Sequence, residues 1–308
     1  FFQGNTSSGN SGGAGLLSFQ SGNISVTKSI FTENSAAGSG GLRVDSRSGT
    51  ITVADNSISG NQTVNPIQGV GGLNVGARDG DSLITRNIFD RNESAGGAGG
   101  IALILNGSGN FALVNNIISN NTAGAGPNGF GGGGASLANN GFGDLVVTNN
   151  SIFGNSTQDA GSGPGNGGGL WLKIEIDSAN TFLFNNIVYG NTADGNGDDI
   201  YADDDGNHTN HDNIGSSVEL SHNDFGDFYS FCQNTPACVP DITQVANLSV
   251  DPLFVDAANG DLHLTPSSPC IDQGDSAAPS LPSTDFEGDP RTIGVAPDIG
   301  ADEFVPSL

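Results

Sequence analysis

Apolar residues recur along this chain in short alternating runs, such as Ile51-Val53 and Leu170-Leu172, and this is the period of a β-strand. The runs belong to a longer repeat. Each copy carries an asparagine, an apolar residue two positions later and a second asparagine three after that: Asn56-Ile58-Asn61, Asn87-Phe89-Asn92, Asn116-Ile118-Asn121, Asn150-Ile152-Asn155 and Asn186-Val188-Asn191. A variant copy reads Ser29-Phe31-Asn34, and a truncated one opens the chain as Phe2-Asn5. Three residues before the first polar position stands an apolar one: Val26, Val53, Ile84, Leu113, Val147 and Leu183. Successive last asparagines, from Asn5 to Asn191, are 29, 27, 31, 29, 34 and 36 residues apart. A period near 30 that tolerates insertions describes stacked units, none of which can bury its apolar side alone.

Each unit holds three short strand-like runs. One follows a glycine pair (Gly40-Gly41-Leu42, Gly71-Gly72-Leu73, Gly99-Gly100-Ile101, Gly168-Gly169-Leu170), a second ends at the first asparagine, and a third is the apolar step between the two asparagines. With 49 glycines in 308 residues, helical repeats are disfavoured. The pattern predicts an all-β chain, a right-handed parallel β-helix of about seven coils of roughly 30 residues with an irregular C-terminal capping region. Stacked asparagines suit its bends, since each amide can donate to one neighbouring coil and accept from the other. Insertions gather between the second asparagine and the glycines, at 123–134 and 158–169, so that bend should be exposed and variable. The division expected is coils over 1–212 and further coils or a cap over 213–308, with the cap covering the open end of the last coil. Phe2 and Asn5 fall in the last strand of a coil whose first two strands are missing. Either upstream coils or another copy, docked head to tail and able to extend into filaments, would complete that end.

A net charge of −25 with only 8 Lys and Arg argues against nucleic acid and anionic membrane surfaces as partners. It is compatible with cation binding. No apolar run approaches membrane-spanning length. The absence of methionine means that the chain lacks an initiator, as a processed product or fragment would. Cys232 and Cys238 bracket a short loop and are disulfide candidates, which would imply an oxidising compartment; Cys270 can instead pair with either. Among many Asn-x-Ser/Thr sequons, Asn106 and Asn207 fall in loops and are the glycosylation candidates.

Two regions carry candidate chemistry. Leu42, Leu73, Ile101, Leu170 and Ile200 should point inward, so Arg43, Asn74, Ala102, Trp171 and Tyr201 should point outward and stack into a column. Lys173 and Glu175 continue that face. Arg43, Asn74, Trp171, Lys173, Glu175 and Tyr201 are therefore glycan-binding candidates, an exposed indole beside a phenol being suited to stacking on a sugar ring. The competing reading packs Trp171 beneath the 158–169 loop. The second region is the run of Asp194, Asp198, Asp199, Asp203, Asp204 and Asp205, whose carboxylates in glycine-broken loops suit calcium. The scarcity of basic residues beside these carboxylates speaks against pectate-lyase-type or polygalacturonase-type catalysis, which is the alternative reading for an acidic polysaccharide.

Beyond residue 250 new strings appear: Val250-Asp251-Pro252-Leu253-Phe254, Gly260-Asp261-Leu262-His263-Leu264, Ser268-Pro269-Cys270-Ile271-Asp272-Gln273-Gly274-Asp275, Asp285-Phe286-Glu287-Gly288-Asp289-Pro290-Arg291 and Asp298-Ile299-Gly300-Ala301-Asp302-Glu303-Phe304. Together with the Asn/Gly-rich coils before them, they resemble the choice-of-anchor Q domain proteins of prokaryotic surfaces. The resemblance implies export and attachment at the cell surface, and it implies no catalytic residues. Taken with the scarcity of basic residues, the chain reads as a secreted structural or adhesive module.

Overall fold

The computed structural model describes residues 1–64, 69–125, 131–159, 161, 164–174, 179–204, 217–232 and 242–306. It is a parallel β-solenoid with three eight-stranded sheets. The glycine-entry sheet runs from Ala14–Ser18 through Leu42–Ser46, Leu73–Ala77, Ile101–Leu105, Ala135–Asn139, Leu170–Ile174 and Ile200–Asp204 to Phe228–Cys232. The middle sheet runs from Ile24–Thr27 to Ile242–Val245, and the ladder sheet from Phe2–Gln3 to Asp224–Phe225. Among the described residues the three strand types succeed one another in seven full turns, flanked by Phe2–Gln3 at one end and by Phe228–Cys232 with Ile242–Val245 at the other. A smaller six-stranded sheet lines the bend after the second asparagine.

Three columns of side chains fill the interior. Leu42, Leu73, Ile101, Leu170 and Ile200 are all 0% exposed, as the alternation requires. Val53, Ile84, Leu113, Val147 and Leu183 line the second wall, and Phe31, Ile58, Phe89, Ile118, Ile152 and Val188 the third. The glycine pairs are steric necessities: a Cβ on Gly41 would stand 2.7 Å from the Gly72 carbonyl oxygen, and one on Gly72 would stand 2.4 Å from that of Gly100.

The asparagines form two ladders. At the first bend the Nδ2 of Asn56, Asn87, Asn116, Asn150 and Asn186 donates to the Oδ1 of the next member at 2.9–3.0 Å, ending with Asn186 on Asn223. At the second bend Asn34, Asn61, Asn92, Asn121 and Asn155 do the same at 2.9–3.0 Å. Each Oδ1 also accepts its neighbour's backbone N–H, as Asn121 does from Asn92 at 2.9 Å. Both bends are sharp because the residue before each ladder asparagine is left-handed: Asp55, Arg86, Asn115, Asn149 and Asn185 before the first, and Glu33, Gly60, Arg91, Asn120, Gly154 and Gly190 before the second. The first ladder continues past residue 213, from Asn223 to Asn247 at 3.1 Å, so the coil architecture persists where the sequence repeat fades.

The irregular C-terminal segment runs back along the flank of the solenoid, over the first bend. Asn185 receives Asp275 N–H at 2.7 Å, Asn149 Nδ2 donates to the Asp298 and Gly300 carbonyls at 3.1 Å, and Asn115 Nδ2 reaches the Thr284 carbonyl at 2.6 Å. The left-handed asparagines turn their amides outward and so offer this strap hydrogen-bond partners on three successive coils. Arg291 is 2% exposed and clasps the Gly300 and Ala301 carbonyls and Asn115 Oδ1 at 3.1, 2.6 and 3.0 Å. Beneath the strap Ile187 packs with Leu264, Cys270 and Ile299. Cys270 is therefore a buried free thiol and does not pair with Cys232 or Cys238. The Cys232 side chain and Cys238 lie outside the described residues.

Two outcomes follow. Asn121→Ala should lower the denaturation midpoint, at a cost of about 3 kcal/mol, because it strands donors of Asn92 and acceptors on Phe89 and Asn155 in a buried bend; urea titration measures this. Burial pushes the Asp224 carboxyl up to about 6, Asp199 and Asp251 adding to the effect. Its folded value lies above its unfolded one, so its contribution is complete below the unfolded value near 4 and is lost as pH rises through about 6. Melting curves across pH 4–7 should show Asp224→Asn flattening that part of the parent's profile.

Candidate functional site

The outward face of the glycine-entry sheet carries a cleft of about 530 Å³. Its floor is made by alternate residues of three consecutive strands, Asn74 and Gly76, Ala102 and Ile104, Ser136 and Ala138, which stand in register. All but Ile104 are small or short, so this stretch is recessed between larger neighbours. Arg43 and Asp45 close one end, and Lys173 the other. From the Arg43 strand to the Lys173 strand are four steps, about 19 Å at the usual strand spacing. One rim is the short parallel pair Gly69–Val70 and Gly97–Ala98 with Gly38, and Asn106 and Asn140 stand at the strand-exit side.

Arg43 Nε donates to Asp45 Oδ2 at 2.6 Å. Asp45 leans over the next coil: a Cβ on Gly76 would lie 2.4 Å from its Oδ1. Glycine at 76 thus lets the carboxylate reach the cleft floor. Asn140 Nδ2 donates to Asn106 Oδ1 at 3.2 Å, which ties two coils along the rim. The cleft offers amides from Asn10, Asn74, Asn106 and Asn140, the Ser136 hydroxyl, and apolar surface from Val70, Ala98 and Ile104.

Three of the expected glycan-binding residues, Arg43, Asn74 and Lys173, line this cleft. Trp171 and Tyr201 do occupy the predicted outward column, paired Ser136↔Trp171↔Tyr201, but they are only 1% and 5% exposed. Neither can serve as a stacking platform. Outward alternation placed them correctly, and burial on that face follows from what packs outside the sheet, which alternation does not encode. Tyr201 stacks on Tyr229 at 5.7 Å, and burial, then Asp203, raises its phenol pKa. Glu175 lies outside the described residues. Asp45, Ser136, Asn140 and the recess at Gly76 were missed, although the same period-two count from Arg43 and Asn74 reaches Asp45 and Gly76. Asn106, a glycosylation candidate, sits at the cleft, and Asn207 is outside the described residues.

The aspartates proposed for calcium have separate duties where they are described. Asp199 is 3% exposed, and its two oxygens accept four N–H groups: Asn191 N and Nδ2 at 3.1 and 2.9 Å, Gly226 N at 2.7 Å and Asp227 N at 3.1 Å. It terminates the second ladder in place of an asparagine and is not a surface ligand. Burial raises its pKa. Asp198 accepts Ala193 N–H at 2.8 Å and Asp194 accepts Asp159 N–H at 3.0 Å. Asp203 stands in register beside Lys173 on the outward face. The Asp204 side chain and Asp205 are outside the described residues.

A sequence model described as the right handed beta helix region matches residues 1–173, more than half the chain. The chain belongs to the right-handed β-helix family. Among solved structures this β-helix is similar to one described as the crystal structure of pectate lyase Pel9A, with 14% identity and a TM-score of 0.34, over 96% of this chain and 88% of that one. No curated protein sequence matches it. Among the described residues of the β-helix, no helix is long and apolar enough to cross a membrane.

The sole tryptophan makes the burial of Trp171 measurable. Its fluorescence should be blue-shifted and resist quenching by acrylamide, and Trp171→Ala should cost about 3–5 kcal/mol in chemical denaturation.

Proposed function

We propose that this β-helix is a secreted, surface-displayed binding module that holds an extended glycan along the cleft of the glycine-entry sheet. The observation that carries the reading is the cleft itself: long, open and axial, floored by Asn74, Gly76, Ala102, Ser136 and Ala138, and rimmed by amides. Its volume falls in the range of ligand sites, and amides and a hydroxyl can both donate to and accept from sugar hydroxyls. Display at the cell surface rests on the C-terminal strings, and the cleft lies on a different face from the strap they form.

Binding is favoured over hydrolysis or elimination by the titratable groups that line the cleft. Asp45 is the one carboxylate there among the described residues, whereas glycoside hydrolysis uses a pair. It is already bonded to Arg43, and Lys173 stands at the far end of the cleft, four strands away. Among the described residues that line the cleft, no pair of carboxylates therefore flanks a common point.

Calorimetry against neutral and uronic oligosaccharides should find saturable binding, with no reducing or unsaturated ends released on prolonged incubation. Ala138→Trp, which fills the floor, should abolish binding and leave the melting temperature near that of the parent. Turnover lost on Asp45→Asn would instead make the protein an enzyme.

A further inference from the structure

Three C-terminal strings meet at one point. His263 is on the strand Asp261–Leu264, Glu287 is in the tight turn 285–289, and Asp302 is in the stretch beside Arg291. The turn is fixed by Asp285, whose Oδ1 accepts the N–H groups of Glu287, Gly288 and Asp289 at 3.0, 2.8 and 2.8 Å. Its other oxygen accepts Glu303 N–H at 3.1 Å, which ties the turn to the residue after Asp302. One ligand atom each of His263, Glu287 and Asp302 lies within 4.8 Å of the others.

The imidazole is oriented as a ligand would be. His263 Nδ1 faces Asp261 Oδ1 at 2.5 Å. An ionised carboxylate only accepts, so this contact places a proton on Nδ1. Nε2 is left 3.2 Å from Glu287 Oε2. With a neutral ring, two lone-pair-bearing atoms would then face each other, and Asp302 adds a second carboxylate. A positive centre is required between them, either a proton on Nε2 or a metal ion. A carboxylate behind the far nitrogen of a histidine is the usual outer support of a metal-bound imidazole. The net charge of the chain, −25, favours cations as partners.

We propose that His263, Glu287 and Asp302 form a divalent-metal site of Zn2+ type, with Asp261 holding the imidazole. One nitrogen and two oxygens suit zinc, which takes both, better than calcium, which takes oxygen. Three protein ligands leave a coordination position for water. The ion would pin the Asp261–Leu264 strand to the 285–289 turn, and so lock the strap.

The test uses untagged full-length protein stripped with chelator. Titration with zinc chloride at neutral pH should give one saturable site and a raised melting temperature. His263→Ala and Glu287→Gln should each weaken binding at least tenfold, and Asp261→Asn by about 10–100-fold. His222→Ala, on the histidine that meets Ser221 at 2.9 Å away from the cluster, should leave it unchanged. Should His263→Ala fold poorly by circular dichroism, Glu287→Gln on its exposed turn carries the same comparison. Absence of saturable zinc binding, or equal affinity in the parent and both ligand variants, overturns the proposal and leaves an imidazolium–carboxylate ion pair.

Discussion

The structure depends on one recurring constraint: at two bends per turn the backbone must go left-handed, and the buried polar groups that this exposes must be satisfied. A lone unsatisfied amide at such a bend would cost 1–3 kcal/mol, about the worth of a buried side chain. The ladder asparagines remove the cost coil by coil, because each side chain carries both a donor and an acceptor and the next coil supplies the complement. The interaction fixes register as well as stability. A coil that slipped by one residue would lose its ladder contacts and turn its apolar side chains away from the core.

Everything functional is arranged relative to that register. Since residues two apart share a face, the outward column of the glycine-entry sheet is continuous from Arg43 to Tyr201. The cleft exists because the middle of this column is small while its ends are large. A ladder position can also be lent to another residue: Asp199 ends the second ladder where the loop before Phe228 is too short to supply an asparagine. A carboxylate can accept there from four donors but cannot pass the chain on, so the ladder stops.

The strap depends on the same bends. Where Asn115, Asn149 and Asn185 are the left-handed residues, their amides receive the C-terminal segment. On earlier coils that place is taken by Asp55 and Arg86, which pair with each other at 2.7 Å instead. The doublets Asn115-Asn116, Asn149-Asn150 and Asn185-Asn186 thus carry two messages, one for the ladder and one for the docking of a segment 90 or more residues further on.

The solenoid, its strand alternation, its inward columns and the asparagine ladder were all legible in the sequence, because they repeat locally and each coil restates the same steric and hydrogen-bonding demands. The choice of outward-facing residues was legible too. The sequence left open what lies outside that face. Trp171 and Tyr201 are outward yet buried, and Asp199 is acidic yet buried in the core of a bend. Long-range packing alone sets the C-terminal strings along the flank and brings His263, Glu287 and Asp302 together there. These contacts join segments that are far apart in the chain and occur once each, so no period announces them; they are set by where the strap docks, and that docking depends on amides presented by folded coils.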